Sequence, residues 1–222
     1  MFTQTKKAAY WAALVGLCTF VLFTLSFLAI LFINPPFTWT GMDTFIQYTN
    51  SNPQTFKYLG MLSMLLYSLV FVVTVLCERS NMQNSGKLFT DIAAAFALAF
   101  CICICLNYFI QLTATRLQII EGYTAGLQQF TQSFPTSALS AINMLGWTVF
   151  YGLSTAFLYL AYRTTGEAKI LRRFCLMNST FMLISAIGYA FQWIFVLALC
   201  MNMGLGAAGF GMLWCLMRKY RA

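Results

Sequence analysis

The sequence predicts an all-α membrane protein: a single domain over residues 1–222 built as a six-transmembrane-helix bundle, with both termini cytoplasmic and an amphipathic outer-loop helix between spans 3 and 4. Three observations carry this. Hydrophobic residues make up 60% of the chain and charged residues 8%, which excludes an ordinary soluble domain. Six apolar windows, at about 10–33, 58–77, 90–112, 137–162, 174–199 and 203–218, meet or approach the roughly 20 residues a helix needs to cross a bilayer core. The basic residues are also one-sided. With six spans, Lys6, Lys7, Arg79, Lys87, Arg163, Lys169, Arg172, Arg173, Arg218, Lys219 and Arg221 share one side, and only Lys57 and Arg116 fall on the other. Cytoplasmic loops retain Lys and Arg, so the first side is inside. The runs lack the alternation of barrel strands, and lipid offers backbone amides no partners, so the spans are helices.

The net charge of +8 is then mostly a topology signal and calls for no nucleic-acid partner. It also favours contact with anionic headgroups. Lys6 and Lys7 precede an apolar run far longer than a signal-peptide core, with no small-residue cleavage site before Pro35, so this stretch is expected to remain as the first span. That span should stop at Asn34-Pro35-Pro36, because proline cannot continue a helix interior. In the outer loop that follows, Trp39 and Tyr48 suit interfacial depth, and Met42, Phe45 and Ile46 fit one face of a short helix.

The second span is expected to stop at Glu78-Arg79, before a short polar loop. Asp91 stands at the cytoplasmic start of the third span, where the helix dipole would stabilise a carboxylate; a proton relay is the less favoured reading. Cys101, Cys103 and Cys105 resemble a metal motif. On a helix, however, Cys103 points away from the other two, and the chain has no histidine, so no metal and no cofactor is expected. All eight cysteines fall in or at the ends of spans and should be free thiols, buried as small hydrophobes.

Between spans 3 and 4, Leu117, Ile120, Tyr123, Leu127, Phe130 and Phe134 recur at three- and four-residue spacings, broken near Gly122 and Gly126. This predicts an outer-surface helix, read first as interfacial and second as a lid. The spans around it carry polar and aromatic groups at a shared depth: Asn107 and Gln111 in the third, Asn143, Trp147 and Tyr151 in the fourth, and Tyr189, Gln192 and Trp193 in the fifth. Two readings stand. These groups hydrogen-bond helix to helix, the heavier reading, or they converge on a pocket open to the outside, with Arg116 and Glu121 at its mouth. Fewer residues mark the rest. The loop 163–173 is basic, as a topology determinant would be, and Gly204, Ala208 and Met212 form a small-residue row suited to packing within the bundle or, second, to a homodimer. A faint echo relates Leu59-Gly60 through Glu78-Arg79 to Leu145-Gly146 through Tyr162-Arg163.

The start KKAAYWAALVGL, then Gly146, Phe150, Gly152-Leu153, Tyr162-Arg163, Gly166 and Gly188-Tyr189 give the chain a resemblance. It resembles the uncharacterised bacterial integral-membrane family filed as domain of unknown function 4386. The resemblance implies the six-span architecture and a bacterial cytoplasmic membrane, and it carries no catalytic residues.

Function classes follow. A module that binds or transports a small neutral or amphiphilic molecule, a lipid included, through an outer-half cavity comes first. A regulatory, immunity-type or complex-subunit protein acting through a partner's helices comes second. An intramembrane enzyme is least supported, because the spans hold no histidine, no paired carboxylates and no nucleophile with a base beside it.

Overall fold

The computed structural model describes residues 2–166 and 169–221, and the regular elements among them are all helical. Helix α1 (Phe2–Ile33) leads to the short α2 (Met42–Ser51) and then to α3 (Thr55–Asn81). Four long helices follow: α4 (Asn84–Glu121), α5 (Ala138–Thr164), α6 (Lys169–Ala190) and α7 (Ile194–Tyr220). All except α2 are long and apolar enough to cross a membrane, six in total among the described residues. The chain is a multi-pass helical bundle.

Each spanning helix packs on the next, α1 on α3, α3 on α4, α4 on α5, α5 on α6 and α6 on α7, and the ring closes where α7 returns to α1. That closure is one-sided. Helix α1 meets α7 mainly along Phe210–Tyr220, whereas Ile194–Met201 and Asn202–Gly209 pack on α6.

Inside the ring, Tyr67 and Tyr151 share a hydrogen bond of 2.7 Å, and Tyr162 donates one of 2.7 Å to Glu78. Both pairs are 84 residues apart in sequence. An unchanged offset across three helical turns, about 16 Å, means that α3 and α5 run parallel and in register. The sequence echo of Glu78-Arg79 in Tyr162-Arg163 falls on these same helix ends. Helix α3 runs on to Asn81, beyond the stop expected at Glu78-Arg79, and Glu78 lies inside the bundle. Its side chain is buried, and it also pairs with Lys219 at 3.0 Å.

Three boundary differences from the sequence reading bear on the site. Helix α4 begins at Asn84 rather than about 90. Asp91 therefore sits two turns inside it, beyond the reach of the helix terminus, and pairs instead with Arg79 across the hairpin. The outer end of α4 continues through Arg116–Glu121 and stops at Gly122, which adopts φ 77° as a left-handed cap. A separate 3₁₀ turn, Leu127–Phe130, follows Gly126, so the amphipathic pattern is split between two pieces. Leu127 is buried while Leu117, Ile120, Tyr123 and Phe130 are exposed.

The third difference is the break between α6 and α7, which lies at 191–193 rather than near 200. Trp193 N–H donates to Gly188 C=O (2.8 Å) and Gln192 N–H to Tyr189 C=O (3.1 Å), the pair of bonds that defines a Schellman motif. Gln192 takes the left-handed position, φ 54°, usually held by glycine. With glutamine there, the sequence carries no stop signal.

Gly204 faces Met182 and Phe181 of α6, and Ala208 is fully buried. A homodimer through these residues would have to displace those contacts. The outer halves of α4, α5 and α7 each contain a π-helical stretch, at Gln111–Thr115, Leu145–Phe150 and Asn202–Gly209. Such stretches free backbone groups, and in α7 the carbonyl of Gly204 is taken up by the Asn178 amide at 2.8 Å.

Candidate functional site

In the outer half, the amide nitrogen of the fully buried Asn107 donates to the side-chain oxygens of Asn143 (3.0 Å) and Gln132 (3.1 Å). This ties α4 to α5 and to the loop between them. The carbonyl oxygen of Asn107 is buried without a partner. One turn further out, Gln111 donates to Thr115 (3.2 Å) and to the backbone oxygen of Phe130, which pins the 3₁₀ turn onto α4. Below Asn143, Trp147 lies against Phe100 (ring centroids 4.8 Å apart) and Tyr67 (5.9 Å), and Tyr151 bonds Tyr67.

Beside this network lies a cavity of about 380 Å³. Its walls are Phe23, Phe27 and Ile30 from α1, Gly60, Met61 and Met64 from α3, Tyr108, Trp147, and Met201 and Leu205 from α7. Lys57, Gln132, Ser133 and Asn143 supply its polar side. Apolar walls with a few convergent polar groups are the usual makeup of a ligand site. An aromatic cap forms at the outer end, where Trp39 stacks on Phe134 at 5.0 Å and Phe37 on Tyr48 at 4.8 Å. The Lys57 ammonium lies 5.2 Å from the ring centre of Phe45, a buried residue of α2.

Of the residues singled out in the sequence, only Asn143 and Trp147 line this cavity. Asn107 stands behind Asn143, and Gln111 and Tyr151 are spent on hydrogen bonds elsewhere. Tyr189 reaches out to the backbone oxygen of Pro135 (2.9 Å), tying α6 to the outer loop. Gln192 and Trp193 do not join the site. Both belong to the turn after α6 and are exposed, with the Gln192 amide folded back on Tyr189 C=O at 2.8 Å. The left-handed backbone at Gln192 explains the miss, because the i, i+4 spacing used to place Tyr189 and Trp193 on one face ends with the helix. Arg116 and Glu121 do not pair; Arg116 lies 5.9 Å from the ring centre of Tyr58, and Glu121 is exposed at the end of α4.

Three polar lining residues, Lys57, Gln132 and Ser133, escaped sequence reasoning as site residues. A signal existed for the first, since Lys57 is one of only two basic residues held on the outer side against the charge bias. Gln132 stands in a glutamine-rich loop that gives no direction from sequence. Deeper down, Cys101 and Cys105 approach to 3.8 Å, with Ser68 within 3.7 Å of both, and all eight cysteines are free. Among the described residues, no three His, Cys, Asp or Glu side chains gather as a metal site.

The arrangement thus combines two uses of polar groups: amides that saturate one another between helices, and a cavity with a cation on its rim. In comparisons with protein-family models, with curated proteins and with solved structures, nothing matches the chain.

Proposed function

We propose that the chain binds or transports a small neutral or amphiphilic molecule in the outer-half cavity. The supporting observation is the cavity itself, an apolar space whose polar lining is Lys57, Gln132, Ser133 and Asn143. A molecule with one polar end and an apolar body matches that division. Its membrane is taken to be a bacterial cytoplasmic membrane, on the strength of the family resemblance, with the outer half facing away from the basic side.

Native mass spectrometry of the purified protein tests the binding reading. Leu205 lines the cavity and is nearly buried, so Leu205→Trp fills it while Leu205→Ala enlarges it. A lipid-like adduct present in the wild type and in Leu205→Ala, but lost in Leu205→Trp, supports the reading. An adduct indifferent to filling, or none in any form, refutes it.

A further inference from the structure

The free polar groups of the cavity are mainly donors. Asn107 donates to the side-chain oxygens of both Asn143 and Gln132. Their acceptors are therefore occupied, and the two amide NH2 groups are left as the functional ends, that of Gln132 within hydrogen-bonding reach of the Tyr108 hydroxyl. Ser133 adds a hydroxyl, and Lys57 adds a positive charge. Neither ion pair among the described residues involves Lys57. Its contact with the Phe45 ring leaves the ammonium protons without an anion. A cation at the edge of an apolar space is costly unless it is paired. The amide donors together with an unpaired cation therefore favour an acceptor that carries negative charge.

The shape extends in one direction. A second cavity of about 510 Å³ shares Phe23, Phe27, Met201 and Leu205 with the first and continues along α1 to Phe20 and Phe210. It occupies the gap left where α7 leans on α6 rather than on α1. From Ile30 to Phe20 is about 15 Å of helix, and exposed Val21 and Leu25 leave that gap open to lipid.

We infer that the ligand is a single-chain acidic amphiphile, with its acid group at Lys57 and its chain laid in the gap between α1 and α7, which it reaches sideways from the bilayer. This rests on the proposed binding function and narrows its ligand class. The Lys57 ammonium forms the charge-assisted bond, the Gln132 and Asn143 amides complete the anion's hydrogen bonds, and Trp147 borders the first part of the chain.

The test uses full-length protein in phosphatidylcholine nanodiscs, with Trp11, Trp39, Trp193 and Trp214 replaced by Phe so that only Trp147 fluoresces. The probes are 9,10-dibromostearate and 9,10-dibromostearyl alcohol, whose bromines quench an adjacent indole. The acid is expected to quench at a concentration at least tenfold lower than the alcohol. Lys57→Met should remove that preference by weakening quenching by the acid at least tenfold, and Lys57→Arg should retain it. Excess sodium acetate should not displace the acid; if it does, the site takes a free anion and the amphiphile assignment fails. Equal quenching by acid and alcohol in wild-type protein overturns the acid assignment while leaving the binding site intact, whether or not the Lys57 variants fold. Absence of quenching by both probes removes the binding function itself.

Discussion

Replacing Lys219 by Met should be among the most damaging single changes at the basic end. The Glu78 side chain is 1% exposed, and its Oε2 accepts from Tyr162 at 2.7 Å and from Lys219 at 3.0 Å. Its Oε1 has no partner. Removing one member of a buried ion pair strands the other charge and costs about 3–5 kcal/mol. Lys219 is 23% exposed, so water reaches part of the pair, and the lower end, about 3 kcal/mol, is the expected loss. Tyr162→Phe removes one hydrogen bond to a charged group, about 1.5–3 kcal/mol. The Arg79–Asp91 pair provides the control. With side chains 52% and 45% exposed, Asp91→Asn should cost at most about 1 kcal/mol. Unfolding is read in mixed micelles with a thiol-reactive fluorogenic dye, in a background with the exposed Cys18 and the half-buried Cys103, Cys105 and Cys215 replaced by Ser, since buried Cys175 becomes reactive only when the bundle opens. The decisive measurement is the double variant. Glu78→Gln/Lys219→Met removes the stranded charge and should be more stable than Lys219→Met alone. Loss of less than about 1 kcal/mol in Lys219→Met, or a double variant worse than both single ones, would refute a stabilising role for the pair.

Three further outcomes are expected. Gln192→Gly should stabilise by about 0.5–1 kcal/mol, because glycine adopts the left-handed backbone without strain; a lower unfolding midpoint would contradict the assignment of the α6–α7 turn. Gly146→Val should destabilise by about 1–3 kcal/mol, since a Cβ at Gly146 would lie 2.9 Å from Cys103 Cβ and force α5 off α4; wild-type stability would refute that close approach. With native thiols blocked, cysteines introduced at Gln54 or Gln129 should react with an impermeant reagent from outside and those at Asn84 or Thr165 should not; the reverse pattern overturns the orientation.

The number and type of the spans were legible because length, apolarity and the lack of alternation are properties of the chain itself. Where spans ended was legible only when the stopping residue was chemically special. Asn34-Pro35-Pro36 ended α1 as its backbone preference dictates, whereas Gly122 marked a helix break without revealing that the helix ending there is α4. Gln192 ended α6 with no such mark, because two backbone hydrogen bonds impose a conformation that glutamine does not favour. The same limit applies to the site. Helical spacing placed Asn143 and Trp147 together correctly, since both lie on one continuous element. It could not tell that Asn107 would bond the Asn143 oxygen across helices, so that Asn107 is spent between helices while Asn143 still lines the cavity. Nor could it place Lys57 and Gln132 beside them, because that depends on how three elements far apart in sequence come together.

The row of small residues in α7 bears on the cavity in a way that its spacing does not reveal. Gly204 and Ala208 bring α7 close to α6, so close that a Cβ at Gly204 would stand 2.6 Å from Met182 Sδ. Asn178 reinforces the contact by bonding the freed carbonyl of Gly204 and accepting from Thr155 of α5 at 2.8 Å. The outer half of α7 packs on α6 rather than on α1, while Leu213 lies against Gly16 and keeps the two helices together toward the basic end. The gap between α1 and α7 is thus the geometric counterpart of a tight α6–α7 seam. Small residues that permit close packing on one side of a helix leave room on the other, and in this chain that room adjoins Lys57 and its neighbouring amides.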